Sequence, residues 1–274
     1  EDNEKHVCNQ VFGRMNTSGT NAVPIFELVA VCKRYGDTVA LNPTDLMIFP
    51  GKTSVLIGPS GSGKSTLLRI MAGLIAPDQG IVRFVGQLMN RRNINPLRQK
   101  MGFVVQEGGL FPHMSAEANV TLMARQHGWD DDRIQDRLTE LTEYTRFPRD
   151  GLKRYPAQLS GGQRQRISLM RALMLDPEVL LLDEPLGALD PLIRFDLQND
   201  LKALFDTLHK TVVLVTHDIA EAGFFGDSIV LMQGGRIVQH GTLTELVKQP
   251  TDTFVVRFIN AQRAPLESLM LEDN

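Results

Sequence analysis

Gly58, Pro59, Ser60, Gly61, Ser62, Gly63, Lys64 and Ser65 stand in one run between the apolar segment Ser54 to Ile57 and a helix-forming stretch that opens with Thr66, Leu67 and Leu68. The run satisfies G-x-x-x-x-G-K-[ST] in the context it requires, a buried strand that turns sharply into a helix. Its glycines permit a tight loop whose backbone N–H groups point inward at phosphate oxygens, and the helix start adds positive potential. Lys64 supplies a mobile cation for β and γ phosphates, and the Ser65 hydroxyl suits Mg²⁺. The plainer alternative is a glycine-rich turn ahead of an ordinary helix. On the sharper reading, Gly58, Ser60, Gly61, Ser62, Gly63, Lys64, Ser65 and Thr66 are the candidate nucleotide-binding residues.

The rest of the chain fits a fold built around such a loop. Ile25 to Val31, Ser54 to Ile57, Phe103 to Val105, Val179 to Leu182, Val212 to Val215 and Ile229 to Met232 are short, β-branched apolar runs that alternate with helical patterns. That alternation predicts an α/β fold with a largely parallel, buried sheet. Between Gln106 and Leu159 the strand signal stops, while Ala116 to Met123 and Arg133 to Tyr144 carry helical spacing, which predicts a helical insertion over about 107–160. Gly234 and Gly235 lie between two strand-like runs and predict a hairpin turn. From Leu243 onward the pattern predicts two short helices and, over 261–274, an acidic tail; the polar stretch 1–24 is expected to be a flexible extension.

Val179 to Leu182 ends in Asp183 and Glu184, two carboxylates at the edge where a parallel sheet binds ligands. Asp183 suits Mg²⁺ through water, and Glu184, facing the other side of the chain, suits activation of an attacking water. Taken alone, the pair equally fits a cap on the turn at Pro185. His217 follows the next buried strand; it is either a hydrogen-bonded surface histidine or an imidazole that holds a γ-phosphate transition state in line.

Composition narrows the classes. A formal net charge of −3 over 274 residues argues against a nucleic-acid binder, which needs a clustered basic excess. Cys8 and Cys32 show neither CxxC nor metal spacing and are expected to be unpaired thiols of a reducing compartment. No apolar run approaches the ~20 residues that a membrane span requires.

Leu159, Ser160, Gly161, Gly162 and Gln163 spell LSGGQ, followed by Arg164, Gln165 and Arg166. Together with the phosphate loop, the two carboxylates and the helical insertion, in this order, the string resembles the signature of ABC ATPases over roughly residues 25–260. The resemblance implies a P-loop NTPase fold with a RecA-like core, an antiparallel β subdomain and a helical subdomain that carries the signature. It implies ATP and Mg²⁺ as ligands, and a partner in a second copy of the chain, with Ser160, Gly162 and Gln163 closing on the γ-phosphate held by the opposite copy. A serine hydroxyl and glycine N–H groups at a helix start give that contact its physical sense; a glycine-rich helix cap is the alternative.

Further positions carry over one at a time. Tyr35 resembles the aromatic that stacks on adenine, or else is a loop tyrosine packed on the core. Gln106 resembles the glutamine that touches Mg²⁺ and the attacking water, or else is an exposed surface glutamine. Gly187, Ala188, Leu189 and Asp190 are similar to the loop through which two copies communicate, and Asp190 before Pro191 is equally a helix N-cap. Thr216, His217 and Asp218 match the histidine switch. The hydrolytic set is therefore Glu184, His217, Gln106 and Lys64, with Ser65, Gln106 and Asp183 toward the metal.

Gly109 to Met114 resembles the segment by which bacterial importers receive a membrane subunit, or else its Leu110 and Phe111 are plain core residues. The resemblance thus implies integral permease subunits, an indirect link to a substrate-binding protein, and a peripheral place on the cytoplasmic face of the bacterial inner membrane. With Trp129, the turn Arg154 to Pro156 and Asp190 to Arg194, the run looks most like ATPases of glycine betaine and choline importers, though Met71, Ala72 and Gly73 are closer to general importers of amino acids, polyamines, sulfate, iron or lipids. The alternative from another class is a soluble ABC ATPase acting on DNA or ribosomes, and the absence of long heptads and of a basic surface argues against it.

Overall fold

The computed structural model describes residues 23–106, 108–187 and 189–270. Cys8, Ala188 and the last residues of the expected tail, 271–274, lie outside the described residues, as does most of the expected N-terminal extension.

A six-stranded sheet forms the centre: β3 (Thr53–Ile57), β6 (Met101–Val104), β7 (Val179–Asp183), β8 (Thr211–Val215), β9 (Ser228–Gln233) and β10 (Arg236–Gly241), in the order β10-β9-β3-β8-β7-β6. All neighbours are parallel except β10, which pairs antiparallel with β9 at the edge. Every residue of β3, β7 and β8 is buried, as expected for parallel strands covered on both faces. Side chains alternate between two cores. Val55, Leu180, Leu182, Val212 and Leu214 face one, and Leu56, Leu181, Val213 and Val215 face the other.

The second core is closed by α1 (Lys64–Met71) and an antiparallel sheet of β1 (Phe26–Tyr35), β2 (Thr38–Ile48), β4 (Gln79–Phe84) and β5 (Gln87–Leu88), in the order β2-β1-β4-β5. The residue-level strand expectations reach β1 but include neither β2 nor β4. Pro43 explains the first omission, since β2 lies at a sheet edge where a missing N–H is tolerated and its register shifts near Asn42 and Pro43.

The first core is covered by α3 (Ala116–Gln126), α4 (Asp131–Tyr144), α5 (Gly161–Leu173), α6 (Pro191–Leu208) and α7 (Ile219–Phe225), which follow the short α2 (Ile94–Arg98). Ser115 caps α3 through Ala118 N and Asp130 caps α4 through Arg133 N. Ala116, Val120 and Ala124 of α3, and Ile134, Leu138 and Leu141 of α4, form buried stripes at helical spacing. Buried Asn119 ties down the preceding loop: its Oδ1 accepts from Phe111 N at 2.7 Å, and its Nδ2 donates to the Met114 and Ser115 carbonyls. The expected hairpin is present, with Gly234 and Gly235 at φ 54° and 75° between β9 and β10, the positive values that a two-residue turn demands. Two helices follow, α8 (Leu243–Lys248) and α9 (Thr253–Met270). Where two short ones are expected the second is 18 residues long. Among the described residues, no helix is long and apolar enough to cross a membrane.

Candidate nucleotide site

The cradle is shaped by glycines at the C-terminal end of β3. Gly58 and Gly63 have φ of 150° and 99°. A Cβ at Gly58 would lie 2.2 Å from Met232 O, and one at Gly63 would lie 2.6 Å from Ala40 O. Backbone from β9 and β2 thus walls the loop at distances that only a residue without a side chain tolerates. Gly235 N donates to Ser62 O at 3.1 Å, while Asn42 N donates to Gly235 O at 2.8 Å, so the hairpin turn joins the loop to the antiparallel sheet. Gly61, also at positive φ, faces open space.

Lys64, the first residue of α1, is buried and folds back on the loop, donating to Gly58 O at 2.7 Å and Pro59 O at 2.9 Å. Burial holds its ammonium below the usual lysine range, opposed by the carboxylates of Glu184 and Asp183. Ser62 Oγ is buried and has no hydrogen-bond partner among the described residues. A buried hydroxyl without a partner is costly, and here it stands in a loop of inward-turned backbone, so the cradle fits a phosphate-bearing ligand.

The ends of the neighbouring strands complete the constellation. Ser65 Oγ donates to Asp183 Oδ1 at 2.8 Å, joining the helix start to the end of β7. Arg69, one turn along α1, reaches Asp183 Oδ2 at 3.7 Å, a partner that sequence reasoning missed although an arginine four residues after Ser65 is the signal. Glu184 takes φ 47°, a left-handed conformation unusual for a side chain of its size. Its N–H donates to Val215 O at 3.0 Å, so the chain turns out of β7 while still bonded to β8. The turn leaves Glu184 Oε2 3.5 Å from His217 Nδ1. His217 itself is largely exposed.

Thr216 anchors the histidine loop. Its N–H donates to Leu56 O at 3.1 Å, and its hydroxyl donates to Glu221 Oε2 at 2.5 Å while accepting from Asp218 N at 3.1 Å. Burial pushes the Glu221 carboxyl above the usual range, against the hydrogen bond from Thr216. Neither Glu221 nor its bond was foreseen from the sequence.

Lys64, Ser65, Asp183, Glu184 and His217 are therefore brought together. Among the described residues, Tyr35, Gln106, Ser160, Gly162, Gln163 and Asp190 make no hydrogen bond or ion pair with that group. Tyr35 closes β1, half exposed, with Lys33 Nζ 5.6 Å from its ring centre. Gln106 is exposed just beyond β6. Ser160 caps α5 in a reciprocal box: Gln163 N donates to Ser160 Oγ at 3.2 Å, and Ser160 N donates to Gln163 Oε1 at 3.0 Å. A Cβ at Gly162 would come 2.8 Å from Ile193 Cγ2, so this glycine lets α6 pack on the start of α5. Ser160, Gly162, Gln163, Ile193, Asp196 and Leu197 line a shallow cavity of about 250 Å³. Asp190 is the N-cap residue of α6 without a side-chain cap bond, followed by Pro191 at N1.

A loop cradle at a helix start, with an acid at the end of the next strand but one in the same parallel sheet, defines a nucleotide-phosphate site of the P-loop kind. Comparison with known proteins sets the class further: the ABC transporter family model matches residues 41–187. The chain is 41% identical over 240 residues to the glycine betaine/carnitine/choline transport ATP-binding protein OpuCA of Bacillus subtilis, spanning 87% of this chain and 63% of that protein. It is 40% identical over 247 residues to the glycine betaine uptake system ATP-binding protein YehX of Escherichia coli, spanning 90% and 80%. It is 46% identical over 230 residues to the sulfate/thiosulfate import ATP-binding protein CysA of Mycolicibacterium paratuberculosis, spanning 84% and 62%. Among solved structures, the dimeric post-hydrolysis state of the ATP-binding cassette MJ0796 bound to ADP and Pi matches with a TM-score of 0.72 at 33% identity, over 80% of this chain and 98% of that one. The chain belongs to the ABC transporter family and has the fold of its ATP-binding cassette.

Proposed function

We propose that this chain is the ATP-hydrolysing subunit of an ABC importer whose cargo is a quaternary-ammonium osmoprotectant such as glycine betaine or choline. The observation that carries the ATPase reading is the meeting of buried Lys64, the Ser65–Asp183 hydrogen bond and the Glu184–His217 pair at the ends of β3, β7 and β8. The cargo reading rests on the relatives that transport glycine betaine, carnitine and choline.

The chemistry follows from these residues. The loop amides and the α1 start bind the phosphates, and Lys64 exchanges its bonds to Gly58 O and Pro59 O for phosphate oxygens. Ser65, Asp183 and Gln106 would offer the oxygen donors that Mg²⁺ takes, and the ion would supply charge neutralisation for the phosphates. Glu184 accepts a proton from the attacking water. His217 donates a hydrogen bond to the γ-phosphate as charge develops there. Tyr35 stacks on adenine. Ser160, Gly162 and Gln163 approach the γ-phosphate of a second copy, and Asp190 lies in the contact between copies. Closure and reopening of the pair drive permease subunits at the cytoplasmic face of the membrane, fed by a substrate-binding protein.

The identity with CysA supports a second reading, a sulfate importer. Reconstitution of the chain with its permease and binding protein in liposomes separates the two. ATPase stimulation by betaine or choline supports the first, stimulation by sulfate the second, and hydrolysis indifferent to all of them refutes both cargo assignments.

A further inference from the structure

His217 lies on the short connection between β8 and α7, and a residue far along the chain grips that connection from outside. Gln262, on α9, donates from Nε2 to His217 O at 2.7 Å and accepts at Oε1 from Ile219 N at 2.6 Å. The two bonds span 45 and 43 residues of sequence and bracket Asp218 on both sides. They also determine which way the amide faces, because a carbonyl needs a donor and an N–H needs an acceptor. A carboxylate meets only the second need.

The other bonds in this connection hold the far end of the same peptide and the start of α7. Asp218 N donates to Thr216 Oγ1, and Asp218 Oδ1 accepts from Ala220 N at 2.7 Å, which caps α7. These hold Thr216, Asp218 and the helix start. The peptide that carries His217 O is held at its N–H end by Thr216 and at its carbonyl end by Gln262, and its orientation helps to set where the exposed imidazole points. Phe254 and Phe258, on the same helix, pack against the core with Val255 and Ile259 buried, so Gln262 projects from an anchored element.

We propose that Gln262 is a positioning residue for His217: its side-chain amide clamps the His217–Ile219 backbone and keeps the imidazole aimed at Glu184 and the γ-phosphate. The C-terminal helix thereby becomes part of the hydrolytic site without touching nucleotide. The proposal rests on the reading of His217 as a γ-phosphate ligand.

The test compares wild type, Gln262→Met, Gln262→Glu and His217→Ala as full chains, by steady-state ATPase, thermal melting and NMR of ¹³Cε1-labelled histidine. Methionine keeps volume and removes both bonds; glutamate keeps the bond from Ile219 N and loses the one to His217 O. Loss of the two hydrogen bonds is expected to lower kcat about 10-fold in Gln262→Met, with KM within about twofold and the melting temperature lowered by only a few degrees. Gln262→Glu should not rescue the rate. In both variants the His217 signal, assigned by its loss in His217→Ala, should move while the other histidine signals stay. Wild-type kcat and an unmoved His217 signal in a folded Gln262→Met or Gln262→Glu chain would overturn the proposal. So would losses that track melting, with all histidine signals shifted together. If His217→Ala turns over like wild type, the reading of the site itself fails, and a displaced His217 signal still reports the clamp.

Discussion

The cradle at Lys64 and the helix start at Ser160 are both turns of glycine, serine and backbone amides that open a helix, yet their surroundings differ. The cradle is walled by backbone from β2 and β9, holds a buried lysine, and is joined through Ser65 to the acid of β7. Its groups come from the ends of three strands of one chain, β3, β7 and β8. Ser160 is exposed, and its hydrogen-bonding capacity is met locally by Gln163 within a single helix turn. A site so supplied can hold phosphate within one copy. A self-satisfied cap on the surface adds charge recognition only when something is brought to it, which is the physical reason for expecting two copies in the working enzyme.

If the cradle is the primary phosphate site, the largest effect on nucleotide binding belongs to Lys64→Ala. Removing a charge-assisted donor should cost about 1.5 to 3 kcal/mol of ATP binding, a loss of roughly 10- to 150-fold in affinity, read by calorimetry on the isolated chain. Near-normal affinity would transfer the primary role elsewhere and dissolve the contrast. Ser160→Ala sharpens it from the other side. Losing the cap should cost about 1 kcal/mol of stability and reduce turnover, while ATP affinity of the single copy stays at the wild-type value. A fall in single-copy affinity would mean that the two turns act on one nucleotide within one chain.

The smallest expected effect tests the loop beneath His217. Burial raises the Glu221 carboxyl, so the folded state holds its proton more tightly than the unfolded chain. That contribution to stability is complete below the unfolded glutamate pKa and is lost as pH rises through the folded one. Glu221→Gln removes the dependence, and melting curves against pH should show the wild type declining relative to the variant across that window. Parallel curves would contradict the assignment.

Lys64, Ser65, Asp183, Glu184 and His217 were legible in the sequence because a phosphate loop and buried parallel strands leave short, local patterns, and LSGGQ is contiguous. The antiparallel sheet was less so. In β2 the edge position admits Asn42 and Pro43, which read as a break, and buried and exposed residues alternate unevenly along it. Glu184 at positive φ and Gln262 beneath His217 left little local signal, and Arg69 beside Asp183 left only its one-turn spacing from Ser65, since each depends on contacts made across the fold. Such contacts are set by packing of distant segments, which periodicity does not encode.

The central claim is that hydrolysis occurs in a pair of cradles closed by the opposite Ser160 turns, with Glu184 activating water. Its most direct test is sedimentation of Glu184→Gln with ATP and Mg²⁺. The account predicts an ATP-dependent dimer retaining two unhydrolysed ATP molecules, with turnover lowered by about 10²- to 10⁴-fold. A variant that stays monomeric and still hydrolyses ATP would contradict it.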